Sequence, residues 1–205
     1  GQAMKQSMTK RGLLGLEFWH NGLKQLSATK PLLNPADAAG LKFRVQASDV
    51  LVAQFKTLGA VPQKMSFSEV YQALQSGTIQ GQENTYSNIY GKKFFEVQDS
   101  VTESNHGVID YLVVTSSEFW EGLPNDIRNQ LETILREVTV SRNAKAFGVN
   151  EANKQAILEA GKTIHILTDA QRAEWKAAML PVWDQFKDDV GQTNIDAAQA
   201  INAQY

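Results

Sequence analysis

Arg44, an arginine near the end of a predicted strand, is the residue of this 205-residue sequence that most clearly offers binding chemistry. Apolar and polar residues alternate across 41–46, which predicts a short strand with one buried face, and a helical pattern begins at Ser48. Arg44 therefore lies near the carboxyl end of the strand, where a planar guanidinium can donate two parallel hydrogen bonds to a carboxylate. The alternative is a surface arginine on the polar face of the strand.

Histidine, serine and glycine patterns give no sign of catalysis. His20, His106 and His165 are far apart, and none has a partner at the spacing of metal ligands. There is no G-x-S-x-G elbow, and "GTIQGQEN" has neither the spacing nor the following helix of a phosphate-binding loop. Cysteine is absent, which excludes disulfides and thiolate sites. We predict no catalytic residue, no metal and no cofactor; an enzyme built from residues distant in sequence is the alternative.

Composition narrows the class of protein. The chain is 42% apolar and 20% charged, with a net charge of −2, which is typical of a globular protein and argues against a nucleic-acid partner. No apolar run approaches the roughly 18 residues that a membrane-spanning helix needs. Residues 1–12 lack the apolar core of a signal peptide and resemble the middle of a helix, so we expect a mature or truncated chain.

Strand-like and helix-like segments alternate through the first hundred residues, as in a parallel α/β sheet. The strand-like segments include 13–19, 41–46, "VPQKMSF" and "TIQGQEN"; the helical ones are "SDVLVAQFKTLG", "SFSEVYQALQSG" and "TYSNIYGKKFFE". Ser66 and Glu69 have the spacing of a capping box at the start of the second helix.

The second half is dominated by helices. "HGVIDYLVVTS" and "TIHILT" predict strands, and the stretch from "LPNDIRNQ" to "AILEAG" predicts one long helix that bridges two lobes. A stripe on this helix is expected to face the core: Ile127, Leu131, Ile134, Leu135 and Val138. Thr168 and Gln171 predict a capping box for a last helix, whose aromatic stripe we interpret as packing.

Three long stretches carry a family resemblance. They are "GLLGLEFWHNGLKQLSATKPL", "LKFRVQASDVLVAQFKTLGAVPQKMSFSEVYQALQSGTIQGQENTYSNIY" and "FEVQDSVTESNHGVIDYLVV". These stretches closely resemble the solute-binding proteins of tripartite ATP-independent periplasmic (TRAP) transporters, in the DctP-type branch. Fainter similarity continues through "FWEGLPNDIR" and the long helix, so the resemblance extends over nearly the whole chain.

The resemblance implies an α/β fold of the type II periplasmic-binding-protein kind, with a long helix that bridges the lobes. It places the ligand-binding second lobe at 13–105, and a returning segment of the first lobe with the start of the long helix at 106–148. The end of that helix and a C-terminal part that packs on the second lobe fill 149–205. Family members carry a further N-terminal stretch that builds most of the first lobe, and by this comparison it is missing here.

The same resemblance implies a binding site. Arg44 matches the family arginine that forms a bidentate salt bridge with the substrate carboxylate, and Asn84 matches an asparagine that bonds the same ligand. Phe67 matches an aromatic residue that closes over the substrate. Lys24 falls where many relatives carry a second basic residue, and His106 matches a histidine near the crossover between the lobes.

Each residue taken from the resemblance has a structural alternative. Asn84 would cap the helix that begins near Thr85, and Phe67 would belong to the core. Lys24 would be a solvated surface lysine, and His106 would serve only the hinge.

The function that the resemblance implies is that of a periplasmic, non-catalytic binding protein. It would capture an organic acid, by similarity a four-carbon dicarboxylate such as malate, succinate or fumarate, and deliver it to the membrane subunits of a TRAP transporter without spanning the membrane itself. The alternatives are a sugar acid, keto acid or aromatic acid as ligand, or a module that senses a ligand for a partner.

Overall fold

The computed structural model describes residues 2–202 and is built around one long strand, β1, whose two halves pair with different strands. The strands are β1 (Leu13–Ala28), β2 (Lys42–Val45), β3 (Val61–Lys64), β4 (Gly81–Thr85), β5 (Ser100–Glu103), β6 (Val108–Ser116) and β7 (Thr163–Ile166). The main sheet has the order β3-β2-β4-β1-β5-β7, and β6 pairs with the other half of β1. The predicted α/β class is confirmed, but β1 runs antiparallel to β4, β5 and β6, so the sheet is mixed and not the parallel sheet that the alternating segments predict.

Helices connect and cover these strands. They are α1 (Gln2–Thr9), α2 (Asp49–Thr57), α3 (Val70–Gln75), α4 (Tyr86–Gly91), α5 (Ser117–Gly122), α6 (Asn125–Glu159), α7 (Asp169–Val190) and α8 (Gln192–Asn202), with 3-10 turns at Pro35–Ala38, Phe67–Glu69 and Phe94–Val97. The single long helix predicted from the sequence is confirmed as α6. The predicted capping box is also confirmed at the start of α7, where the Gln171 amide nitrogen donates to Thr168 Oγ1.

The two halves of β1 have different partners. Its first half pairs antiparallel with β6, and this pairing shifts register twice, the second time at Asn21. Residues 24–28, in contrast, pair with β4 without interruption. Helix α6 crosses the first half, where Trp19 Nε1 donates to Thr139 Oγ1 at 2.9 Å and Asn150 Nδ2 donates to the Asn21 carbonyl at 2.7 Å. The domain boundaries at residues 105 and 148 stay a prediction.

Each face of the main sheet carries its own apolar core. On one face Phe43, Leu26 and Trp175 pack with residues of α2 and α7. On the other face Val101 and Ile157 pack with residues of α3, α4 and the 3-10 turn at Phe94–Val97. Because both faces are covered, polar positions of the inner strands, such as Arg44, Gln82 and Ser27, are buried.

Three local predictions are wrong. The stripe on α6 does not face a core: Ile134 is 55% and Val138 45% exposed, because the buried positions of this helix begin at Thr139, where it reaches β1. Ser66 makes no capping hydrogen bond, and a 3-10 turn precedes α3 there. The helix predicted over "TYSNIYGKKFFE" ends at Gly91, and Lys93 takes a left-handed conformation with φ of 58°.

Gly81 in β4 leaves room for the ring of Phe43, a fully buried side chain of the core that contains Trp175. A Cβ atom there would lie 2.3 Å from Phe43 Cε2 and 3.0 Å from the Ser27 carbonyl oxygen. Phe43 cannot retreat, because it is fully buried and stacks on Phe55 with ring centroids 4.3 Å apart.

We expect Gly81→Ala to lower the free energy of unfolding by about 1–3 kcal/mol through overpacking, as measured by chemical denaturation. Gly91→Ala is the matched control, since no atom of the residues that the structure describes lies within 4 Å of a Cβ at that position. Equal denaturation midpoints for the two variants would contradict this account of Gly81.

Candidate functional site

One edge of the main sheet gathers all five residues that the sequence singled out. Strands β2, β3, β4 and β5 run in the same direction, so their carboxyl ends lie along one edge. Arg44 and Asn84 are the next-to-last residues of β2 and β4, while Phe67 and His106 follow β3 and β5. Lys24 lies at the same edge because it is paired with Thr85 in the antiparallel β1. Such an edge is where open α/β sheets place their ligands.

Arg44 is buried, with 3% of its surface exposed, although its place in the alternating pattern predicted a polar face. The segment that follows β3 covers it: Nε and Nη2 donate to the Met65 carbonyl at 3.1 and 3.0 Å, and the guanidinium carbon lies 5.7 Å from the centre of the Phe67 ring. Nη1 is buried without a hydrogen-bond partner among the described residues. The fork formed by Nη1 and Nη2 is therefore left for another acceptor.

The charge on Arg44 has no ion-pair partner within the part of the chain that the structure describes. Burial lowers the pKa of Arg44, and the negative charge of Glu83 raises it in compensation. A buried cation without a contacting anion is unfavourable, so this arrangement favours the binding of an anion.

Asn84 lies on the same face of the sheet as Arg44. Arg44 is in register with Gln82, and residues two apart on a strand share a face. Asn84 Oδ1 accepts from Asn88 Nδ2 at 2.7 Å, and its Nδ2 makes no hydrogen bond to any described residue. Helix α4 is capped by Thr85, whose Oγ1 accepts from the Asn88 amide, so the alternative role of Asn84 as the cap is wrong.

Phe67 packs on the second core and also lies over Arg44, while its predicted role of closing over the substrate stays a prediction. The ring packs edge-on against Phe94 with centroids 5.6 Å apart and belongs to the margin of the second core. It is only half-buried, and it also lies over the Arg44 guanidinium. The side chain is thus held by the core at one side and limits access to Arg44 at the other.

Lys24 and His106 meet on the opposite face of the sheet, joined by Glu83. Lys24 Nζ lies 2.6 Å from Glu83 Oε1, and His106 Nε2 lies 2.7 Å from Glu83 Oε2. The second ring nitrogen of His106 is 2.7 Å from Ser104 Oγ. Lys24 is 5% exposed, so the alternative of a solvated surface lysine is wrong.

Glu83 is the residue of this edge that the sequence did not reveal. It stands inside the "GQEN" strand, where a carboxylate normally points to solvent, yet it is 3% exposed. Burial raises its pKa, but the hydrogen bond and charge of His106 and the charge of Lys24 outweigh that effect and lower the pKa to about 2. An ionised Glu83 accepts from both partners, so the His106 nitrogen that faces it carries the proton. The one available signal was a charged residue within a predicted strand core.

Two kinds of feature were not found in the described residues 2–202. No cluster of three or more His, Asp or Glu side chains is arranged to hold a metal ion. No helix within this range combines the length and the apolar character needed to cross a membrane.

The ion pair of Glu83 makes stability depend on pH in a definite direction. Its pKa in the folded protein, about 2, lies below the ordinary value of 4.5. The pair therefore stabilises the fold above pH 4.5, and this contribution, roughly 3 kcal/mol, is lost as the pH falls towards 2. We expect Glu83→Gln to flatten the acid limb of the unfolding free energy against pH.

The matched control for this measurement is Glu121→Gln, which removes an exposed carboxylate from α5. Both variants retain the exposed Asp49–Lys64 pair, which also lowers a carboxylate pKa, so its effect cancels in the comparison. An acid limb as steep in Glu83→Gln as in the control would mean that Glu83 is not ionised in the folded protein at low pH.

Comparison with known proteins assigns a family to this arrangement. The C4-dicarboxylate-binding periplasmic protein DctP of Vibrio cholerae is 61% identical over 202 residues, which are 98% of this chain and 61% of the relative. A TRAP periplasmic solute-binding protein from Shewanella oneidensis with bound succinate has a TM-score of 0.97 at 50% identity, over 98% of this chain and 67% of that one. Its counterpart from Pseudomonas aeruginosa with bound L-malate has a TM-score of 0.87 at 44% identity, over 90% and 64%.

The chain thus spans 61% of the length of the Vibrio relative. Residues 1–189 match the family described as bacterial extracellular solute-binding protein, family 7, whose name is DctP. Since that match includes nearly the whole sequence, the chain belongs to the DctP family of bacterial extracellular solute-binding proteins.

Proposed function

We propose that this protein binds a four-carbon dicarboxylate in the periplasm and delivers it, without chemical change, to the membrane subunits of a TRAP transporter. The observation that carries the proposal is the buried guanidinium of Arg44, which has one fork on the Met65 carbonyl and the Nη1/Nη2 fork unoccupied by described residues. The relatives named above bind C4-dicarboxylates, succinate or L-malate by their names, which supports this choice of ligand.

One carboxylate of the ligand would take the Nη1/Nη2 fork of Arg44. The two parallel charge-assisted hydrogen bonds of this fork match the two oxygens of a carboxylate better than they match a spherical anion. Asn84 Nδ2, on the same face, would donate to the same ligand, and Phe67 would exclude water from the pair. Each of these side chains is already oriented by the protein, which reduces the loss of entropy on binding.

The second carboxylate would reach Lys24 across the sheet edge. β4 separates β1 from β2, so the two backbones are about 10 Å apart, and both long side chains must extend towards the ligand. Lys24 Nζ uses one of its donors on Glu83, which leaves two donors of the ammonium for the ligand. Glu83 would hold the ammonium in place, and it would also reduce the positive charge that the ligand meets.

Arg44→Lys is the first test of this function. A lysine keeps the charge but loses the bidentate geometry, so we expect succinate to bind about tenfold to a hundredfold more weakly, with little change in stability. Calorimetry on the full gene product measures the affinity. Arg136→Lys, an exposed position on α6, is the matched control, and equal affinity in the two variants would remove Arg44 from the site.

Lys24 is tested together with Glu83, because removing the lysine alone leaves a buried carboxylate without its partner. We expect succinate affinity to fall in the order wild type, Lys24→Met/Glu83→Gln, Lys24→Met. The affinity of the double variant should fall about tenfold, which corresponds to the loss of one charged hydrogen bond. The affinity of the single variant should fall further, because Glu83 then repels the ligand.

Butyrate, a four-carbon monocarboxylate, serves as the matched ligand in the same calorimetry. Its affinity should change less than about twofold in the double variant, because it has no group for Lys24 to bind. A double variant that binds succinate as well as wild type would make Lys24 purely structural and direct the search to monocarboxylic acids.

A further inference from the structure

A cavity of about 280 Å³ lies between α2 and α7, beside the segment that follows β5. Gln54 of α2 forms one wall, α7 forms the opposite wall, and His106 with its two preceding residues forms one end. The volume is near the lower limit of the range of small-molecule sites in proteins.

The α7 wall presents two rows of side chains of different character. Arg172 and Lys176 are four residues apart and form a cationic row, while Trp175, Met179 and Trp183 form an apolar row next to it. Trp175 is rigid, since it is 6% exposed and its Nε1 donates to the Leu33 carbonyl at 3.0 Å. A flat apolar body therefore has a preformed surface to pack on, with positive charge beside it.

The positive charge of this cavity is weakly compensated. No carboxylate is among the described residues that line it. Arg172 Nε lies 4.0 Å from Asp169 Oδ1, and that aspartate is fully exposed, so their interaction is weak. Lys176 forms no ion pair with any described side chain. Both ring nitrogens of His106 are already bonded, to Ser104 and Glu83, so His106 contributes shape and no free donor.

This cavity lies on the opposite face of the sheet from Arg44. Gln82 and Glu83 are adjacent in β4 and point to opposite faces, and Arg44 shares the face of Gln82 whereas His106 bonds to Glu83. Trp175 belongs to the core on the His106 face, and Phe67 borders the core on the other. The sheet thus separates the two places.

We propose that this cavity is a second binding site, for a small aromatic carboxylate whose ring packs on Trp183 and Met179 and whose charge faces Arg172 and Lys176. The inference uses only the cavity and its lining, so it does not depend on what binds at Arg44.

The probe for the experiment is 4-(trifluoromethyl)phenylacetate, followed by ¹⁹F NMR on the full gene product. We expect saturable binding of the acid, and weaker binding of 4-(trifluoromethyl)benzyl alcohol, which keeps the ring without the charge. The double variant Arg172→Gln/Lys176→Gln should bind the acid about fivefold more weakly; the effect is modest because both cations are partly exposed. Gln54→Glu is nearly isosteric and places a carboxylate in the facing wall, so it should lower the affinity for the acid at least as much.

Two controls make the result decisive. Lys145→Gln/Lys187→Gln removes two exposed lysines outside the cavity, and it should leave the affinity for the acid unchanged. Arg44→Lys should also leave it unchanged, whatever its effect on succinate. Equal binding of acid and alcohol, an equal loss in the lysine control, loss of the probe in Arg44→Lys, or no saturable binding would each overturn the proposal.

Discussion

The candidate site depends on a guanidinium that is buried at the edge of a sheet, with one of its forks held and the other unpaired among residues 2–202. The Met65 carbonyl fixes the plane of the Arg44 guanidinium without neutralising its charge, and the Phe67 ring lies 5.7 Å from the guanidinium carbon. The position of the covering segment after β3 is therefore as important as the arginine. A fixed donor pair whose charge is not matched by a neighbour is suited to a ligand that is taken up and released.

The charged side chains on the two faces of this sheet edge differ in whether their charge is compensated by a neighbouring side chain. On one face Glu83 is ionised and accepts from Lys24 and His106, so that group of side chains is complete without a ligand. On the other face, the one hydrogen-bond partner of the Arg44 side chain among the described residues is a neutral carbonyl. Under the proposed function, this difference would give an acid with two charged ends a direction: one end would meet the uncompensated cation, and the other would meet a cation that a carboxylate already shares.

The sequence predicted local structure better than burial. Arg44 was correctly placed near a strand end, and Thr168 at a helix start, because alternation and capping are local signals. The burial of Arg44 was missed, because a period of two shows which face is polar and not that Met65 and Phe67 cover it. Glu83 was missed because its partners, Lys24 and His106, are 59 and 23 residues away. The exposed stripe on α6 shows the same limit: periodicity indicates an apolar face and not what packs on it.

The uninterrupted pairing of 24–28 with β4, next to the shifted pairing of the first half of β1, has a consequence for the evolution of chain length. An insertion of one residue at a bulge such as that at Asn21 can be absorbed, because the ladder there already changes register. The same insertion after Lys24 would turn the following side chains to the opposite face of the sheet. Gln25 would then move from a polar environment to an apolar one, and Leu26 would move from an apolar environment to a polar one. Homologous genes should therefore vary in length before Lys24 and keep a constant spacing from Lys24 to Ala28.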